Sequence, residues 1–358
     1  MEKRELTSNE TLLVQLLALG VGVISPEDVV VPEDVSWSKV IGGAVKHGVV
    51  TILADALEKM PVGTIKNRRA IMYVYGTSSK HEQKYDYKLN TLRKITDAWH
   101  EAGIRISVLK GMAYERYYPI PKHRLSSDMD CYLSDYDLGN KIAAEQGATV
   151  DTSEQKHSHI RFEKLEIENH RDCCGQLADK TVNALNDYLL HLLEGETEGT
   201  IPGTHYEYPP LMFDALFYMY HARTHFIIEE GLQLRHVLDW VLIRREVGRD
   251  ETVKEDFVSL CEKYGLKKFY DAMDGVASFV DGTKKYDEMT EAQQLLLDDI
   301  MRVTENLAPR TKMSRFKRHI SNMKTIWRNR WKYSIYSDTT ALGMIYFYAK
   351  GYVWRLLR

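Results

Sequence analysis

Apolar and polar residues alternate with two different periods along this chain of 358 residues. Before about residue 80 and after about residue 200, apolar positions recur every third or fourth residue, which is typical of amphipathic helices. Between these regions, residues 104–109 and 129–133 show the apolar runs and period-two alternation of buried β-strands. The pattern predicts an α+β fold in which a mixed-sheet core lies between N-terminal and C-terminal helical regions.

Two segments rich in turn-forming residues set the predicted boundaries. Residues 76–79 (Gly-Thr-Ser-Ser) indicate a break before a long helix over 85–103, and residues 195–210 indicate a linker rich in Gly, Thr and Pro. We therefore predict an N-terminal helical region over 1–80, an α/β core over 81–200 and a C-terminal helical domain over 201–358. Further predicted helices cover residues 37–47, 50–59, 211–226, 232–246, 254–264 and 291–307.

The apolar segment over residues 11–24 has two interpretations. It imitates the core of a signal peptide, but the residues before it carry more acid than base, and Gln15 interrupts it. With Ser8 or Asn9 as the N-cap, the same residues predict an amphipathic core helix. No stretch reaches the ~20 uninterrupted apolar residues of a transmembrane helix. Because the four cysteines show neither zinc nor disulfide spacing, we expect a protein of the reducing cytoplasm.

Candidate chemistry begins where the first predicted strand ends. Lys110 and Gly111 make a turn into a short predicted helix over 112–118, and a helix N-terminus offers free N–H groups to phosphates. Asp128 and Asp130 then fall on one face of the next strand, with Arg124 close by as a second cation. Paired carboxylates suit Mg²⁺ or Mn²⁺, although an Asp-x-Asp is also ordinary turn chemistry. The order strand, glycine turn, helix, strand favours the metal site, and hence phosphoryl transfer.

Residues 158–165 and 166–170 predict two strands or one bent strand, and a third carboxylate is expected on the second segment. Glu166, Glu168 and His170 share one face there, whereas Ile167 turns inward. An acid on this face could complete a metal site or act as a general base. The same pattern also describes a solvent-exposed strand face, and alternation does not choose between Glu166 and Glu168.

These motifs resemble, in this order, those of the uncharacterised nucleotidyltransferase family of bacteria, a branch of the DNA polymerase β-like nucleotidyltransferase superfamily. The matching pieces are Lys110-Gly111, Tyr118-Pro119, Arg124, Asp128-Met129-Asp130 and Ile167-Glu168-Asn169-His170, with helical stretches over 216–225 and 232–240. The superfamily's usual Gly-Ser or Gly-Gly turn is Lys-Gly here, and Asn169 replaces an apolar residue.

The resemblance implies metal-dependent transfer of an NMP from an NTP to a hydroxyl or phosphate acceptor. By this likeness Asp128, Asp130 and Glu168 become the catalytic carboxylates and the ligands of Mg²⁺ or Mn²⁺. Lys110 and Gly111, with Arg124 near them, would bind the nucleotide. The acceptor, whether a small molecule, a protein or an RNA, is left open.

Three further residues are candidates for lining a cleft: His170, His221 and Arg235. His221 lies four residues before His225, which places both on one helix face, but no third metal ligand stands at a telling distance. Arg235 lies four residues before Asp239, so we expect these two to pair on a helix surface.

A basic segment lies between residues 306 and 337. Between Asn306 and Ser337 the chain has nine Lys and Arg residues and no Asp or Glu, while apolar residues recur at helical spacing. This predicts a basic amphipathic helix, which could be a solvated face, a patch for an anionic substrate or nucleic acid, or a peripheral membrane contact. Two alternatives to an enzyme therefore stay open: a catalytically silent nucleotide- or partner-binding protein of the same fold, and a nucleic-acid or membrane adaptor built on this helix.

Overall fold

The computed structural model describes residues 5–65, 67–126, 128–154, 156–175, 179–228, 231–302 and 315–356. Within these ranges six strands form one sheet: β1 (Ile106–Leu109), β2 (Met129–Leu133), β3 (Thr149–Asp151), β4 (His157–Phe162), β5 (Leu165–His170) and β6 (Tyr206–Glu207). Their order is β3-β4-β5-β2-β1-β6. The β2–β5 and β1–β6 pairs are parallel and the others are antiparallel, so the sheet is mixed.

Helices precede and follow the strands along the chain. Those before the second strand are α1 (Ser8–Gly20), α2 (Trp37–Lys46), α3 (Val50–Lys59), α4 (Arg68–Glu101) and α5 (Gly111–Tyr114). The later ones are α6 (Tyr136–Glu145), α7 (Lys180–Glu194), α8 (Leu211–Ile228), α9 (Leu234–Val247), α10 (Glu251–Lys263), α11 (Lys267–Val280), α12 (Glu291–Arg302), α13 (Arg315–Arg328), α14 (Arg330–Tyr336) and α15 (Ala341–Leu356). The predicted α+β class is confirmed.

The first helix is the predicted core helix, but it is buried on nearly all sides instead of being amphipathic, and its cap differs. Thr7, not Ser8 or Asn9, is the N-cap: its hydroxyl accepts from the backbone N–H of Glu10, whose carboxylate accepts from the backbone N–H of Thr7. This capping box satisfies two backbone donors at once, which explains the earlier start. The leucines at positions 12, 13, 16 and 17 are buried in the core.

The predicted helix break at residues 76–79 is wrong. Helix α4 runs without interruption through 34 residues, and its exposed Gly76 lies in open space. A glycine inside an exposed helix costs about 1 kcal/mol. Burial of Leu92, Ile95 and Trp99 against the core offsets that cost. The helix therefore crosses the predicted boundary at residues 80 and 81, and the three-region division stays a prediction.

The predicted linker over 195–210 also contains structure. Tyr206 and Glu207 form β6, which pairs with β1 at the sheet edge, and Tyr206 is fully buried. A two-residue strand is too short to produce a readable period, so the sequence pattern could not reveal it.

The basic segment forms two helices where one was predicted. Helix α13 ends at Arg328, and at the junction the Asn329 amide donates to the carbonyl of Ile227 on α8, 2.7 Å away. Lys332 on α14 is buried, and its ammonium lies 2.7 Å from the Asp299 carboxylate. Lys324, Arg328 and Arg330 are exposed, whereas Arg310 and Lys312 lie outside the described residues. No helix in the described part of the chain is long and apolar enough to cross a membrane.

Candidate active site

Asp130 and Glu168 are direct neighbours at the centre of the sheet. Strands β2 and β5 run parallel in a register that places these two residues opposite each other. Asp130 is 4% exposed and Glu168 is 18% exposed. Opposing residues of paired strands lie on the same face, so the two carboxylates project from the sheet side by side.

Lys110 brings a positive charge to this carboxylate pair. Its Nζ lies 2.6 Å from Asp130 Oδ1 and 4.0 Å from Glu168 Oε2. Although burial lowers it, the charges of Asp130 and Glu168 raise the pKa of Lys110 above its ordinary value. Burial alone would raise the pKa of Asp130, but Lys110 and His170 hold it well below the usual range. The Lys110 ammonium and the Asp130 carboxylate are therefore both ionised at neutral pH.

The turn that carries Lys110 has a demanding backbone. Lys110 adopts φ 49°, in the left-handed region that residues with a side chain seldom occupy. At Gly111 a Cβ atom would lie 2.8 Å from Arg124 Nη1 and 2.8 Å from Ser126 Cβ, so the packing requires glycine there. Helix α5 is shorter than predicted: it has four residues and continues as a 3₁₀ turn over Glu115–Tyr117.

The other two predicted carboxylates lie in different settings. Strand β2 begins at Met129, so Asp128 is exposed in the bend just before the strand, and strand alternation does not fix its direction. Its charge contributes to raising the pKa of Lys110. Glu166 lies two residues before Glu168 on β5, opposite Arg161 of β4, and is 50% exposed.

Arg124 is held by a residue on another helix. Its guanidinium makes two contacts with the Asp239 carboxylate on α9, at 2.7 and 3.0 Å, and Tyr118 donates to the same carboxylate at 2.8 Å. The predicted Arg235–Asp239 pair is wrong. Asp239 is buried and forms a bidentate ion pair with Arg124 instead. Arg235 instead donates to the Leu125 carbonyl, 3.3 Å away. Both arginines thus support the segment that connects the turn to β2.

The two candidate cleft histidines lie on different elements, His170 on β5 and His221 on α8. His170 is 1% exposed, and its Nε2 lies 2.8 Å from Asp130 Oδ1. His221 lies on α8 with its Nε2 3.1 Å from that of His225. Burial first, and then the charge of Lys110, lower the pKa of His221 well below its ordinary value. His221 therefore lies within the field of the carboxylate site.

Sequence reasoning missed three residues around this site. Lys156 is a partly buried lysine just before β4, and burial, followed by the charge of Lys110, lowers its pKa. His157 and His159 lie on β4 opposite His170 and Glu168. Alternation along residues 157–161 could have placed both histidines on one strand face, but only the β4–β5 register brings them to Glu168.

The chain matches a family model described as "Uncharacterised nucleotidyltransferase" over residues 33–278. Because the match spans more than half of the 358 residues, the protein belongs to this family of nucleotidyltransferases. Neither the curated proteins nor the solved structures contain a significant match. Family membership supports nucleotidyl transfer in general and an NTP as the substrate.

Proposed function

We propose that this protein transfers an NMP from an NTP to a hydroxyl or phosphate acceptor with the help of divalent metal ions. The observation that carries the proposal is the alignment of Asp130 and Glu168 on adjacent strands, directly beside the Lys110–Gly111 turn. We also assign the sheet to the DNA polymerase β-like superfamily. The support for this assignment is the order strand, glycine turn, short helix and carboxylate strand, which the resemblance predicts.

The side chains present fit Mg²⁺ or Mn²⁺. Carboxylate oxygens are the ligands that these ions prefer, and the buried pair already lies against a cation, the Lys110 ammonium. Asp130 and Glu168 would hold the ions, together with Asp128 from the bend before β2. Bound ions would neutralise phosphate charge and align the attacking and leaving oxygens.

The remaining roles belong to groups around the carboxylates. Lys110 would neutralise charge on the triphosphate, and Gly111 would let the phosphates approach the backbone closely. Arg124 would act by fixing the turn, since its guanidinium packs against Gly111 and pairs with Asp239. If Glu168 is not a metal ligand, its place beside Asp130 suits a general base on the acceptor hydroxyl.

The exposed Lys and Arg side chains on the C-terminal helices favour an anionic acceptor. Lys324, Arg328 and Arg330 are all exposed, and Trp327 between them is 51% exposed. A surface of this kind attracts an anionic partner and raises its encounter rate. We therefore propose that these helices recruit the acceptor and take no part in the chemical step.

One contact favours a second candidate, nucleotide binding without transfer. The Lys110 ammonium already neutralises Asp130 at 2.6 Å, and a fixed cation at this position could replace an ion in a silent protein. Pyrophosphate release separates the two functions. The full chain is incubated with each NTP, Mg²⁺ or Mn²⁺, and pools of small molecules, proteins and RNA. Release that depends on both metal and acceptor supports transfer. Nucleotide binding without release under every condition would support the silent protein instead.

A further inference from the structure

A group of histidines extends the carboxylate site along the face of β4 and β5. His157 pairs with His170 across the two strands, and His159 pairs with Glu168. These four residues alternate with inward residues, so their side chains share the face from which Glu168 projects. Neither the family match nor the proposed function assigns a role to these histidines.

Three of these side chains converge. His157 Nε2 lies 3.7 Å from Glu168 Oε1, and His170 Nε2 lies 3.5 Å from Glu168 Oε2. One ligand atom from each of the three residues lies within 4.8 Å of the other two. In a tetrahedral zinc site with bonds of about 2.0–2.1 Å, neighbouring ligand atoms lie about 3.3–3.4 Å apart. The two contacts of Glu168, one through each carboxylate oxygen, are longer than this by a few tenths of an ångström, and all three ligand atoms lie within 4.8 Å of one another.

Burial favours this set over its neighbour. A second set in the described residues, Glu154, His157 and His159, has side chains that are 38%, 13% and 26% exposed. In the first set His157 is 13%, Glu168 18% and His170 1% exposed. The Nδ1 atom of His170 lies 3.3 Å from the carbonyl of Asp172. The Nε2 atom of His170 lies 2.8 Å from Asp130 Oδ1 and donates its proton to that carboxylate. A metal ion therefore binds His170 only by displacing this proton, after which an Nδ1–H to the carbonyl of Asp172 would hold the ring as in other metal sites.

The donor types identify the class of ion. Mg²⁺ prefers oxygen ligands and near-ideal octahedral geometry, whereas imidazole nitrogen suits transition-metal ions. We propose that His157, Glu168 and His170 bind a divalent transition-metal ion, such as Zn²⁺, in preference to Mg²⁺. Binding makes two bonds from imidazole nitrogen and one from carboxylate oxygen, and any proton on the two Nε2 atoms passes to solvent.

This inference does not rest on the proposed function, because metal binding can be read without turnover. It bears on that function through Glu168, which both sites would share. Failure of the transfer assay would leave the histidine site intact, and failure of metal binding here would leave the Asp130 and Glu168 assignment intact.

Cobalt absorption tests the proposal directly. The full chain is freed of metal with a chelator and titrated with Co²⁺ while the visible d–d bands are recorded. We expect bands that saturate near one equivalent, disappear on addition of Zn²⁺ and persist in a large excess of Mg²⁺. His157→Asn and His170→Asn should each weaken Co²⁺ binding by about 10-fold or more. His191→Asn, at an exposed position on α7, is the matched control and should leave binding unchanged.

Three results would overturn the proposal. The first is a folded parent protein that gives no d–d bands with Co²⁺, and the second is displacement of Co²⁺ by Mg²⁺. The third is loss of binding in His159→Asn with no loss in His170→Asn, which would assign the ion to the neighbouring set. Thermal melting checks that each variant is folded. If the variant at the buried His170 does not fold, the variants His157→Asn and Glu168→Gln, at partly exposed positions, decide the question in the same titration.

Discussion

The ammonium of Lys110 lies 2.6 Å from the carboxylate of Asp130, and this contact joins the turn after β1 to the centre of β2. The same carboxylate oxygen lies 2.8 Å from Nε2 of His170. Asp130 is therefore shared by two partners before any ligand is considered. A metal ion at this carboxylate has to compete with Lys110 for it, which suggests that nucleotide phosphates, by attracting the ammonium, assist metal binding.

Metal and nucleotide should accordingly stabilise the protein together more than either does separately. We expect Mg²⁺ or Mn²⁺ with an NTP to raise the melting temperature of the full chain. The double variant Asp128→Asn with Asp130→Asn should lose this shift and still fold. Asp137→Asn, whose side chain is 89% exposed, is the control and should keep it. An undiminished shift in the double variant would place the nucleotide site elsewhere.

The Arg124–Asp239 pair should be one of the most sensitive points for stability. Both side chains are buried, at 6% and 1% exposure, so removing one partner leaves a buried charge without compensation. We expect Asp239→Ala to lower the free energy of unfolding by about 3–5 kcal/mol. Arg161→Ala, at a 70% exposed position, should change it by less than about 0.5 kcal/mol. Chemical denaturation measures both, and similar values for the two variants would contradict this account.

The fold and the site show what the sequence pattern could and could not predict. Period and motif order predicted the α+β class, and the likeness to the family singled out Glu168, which lies opposite Asp130. The partner of Asp239 was predicted wrongly because spacing along one helix says nothing of a residue 115 positions away. The histidines of β4 were missed for a similar reason, since strand register depends on packing of the whole sheet. The helix through residues 76–79 survives because tertiary burial overrides local propensity.

Glu115 should give the protein a distinctive dependence on pH. Burial raises the pKa of its carboxyl group to about 7, against the lowering effects of Lys88 and of the hydrogen bond from Tyr85. Between about pH 4.5 and pH 7 the folded state keeps a proton that the unfolded state releases, so stability falls as pH rises. Glu115→Gln should flatten this fall, because the amide cannot ionise. Melting temperatures of both proteins across this range provide the test, and parallel curves would contradict it.

Charge reversal on α13 tests acceptor recruitment. Replacing Arg315, Lys317, Arg318 and Lys324 by Glu should raise the KM for an anionic acceptor and leave kcat nearly unchanged. The effect should shrink as salt increases, because dissolved ions screen the attraction between the helix and an anionic acceptor. Unchanged kinetics and acceptor binding at low salt would identify the helix as a solvated face only.

The most direct test of the central claim compares two neighbouring glutamates on β5. Transfer of labelled NMP from an NTP to acceptor is measured for the parent, for Glu168→Gln and for Glu166→Gln. Glu168 lies opposite Asp130, and its carboxylate is 4.0 Å from the Lys110 ammonium, whereas Glu166 lies two residues earlier on β5 and is half exposed. We predict a loss of about 10²-fold or more for Glu168→Gln and near-parental transfer for Glu166→Gln. Undiminished transfer by a folded Glu168→Gln protein would contradict the assignment of this carboxylate pair as the catalytic centre.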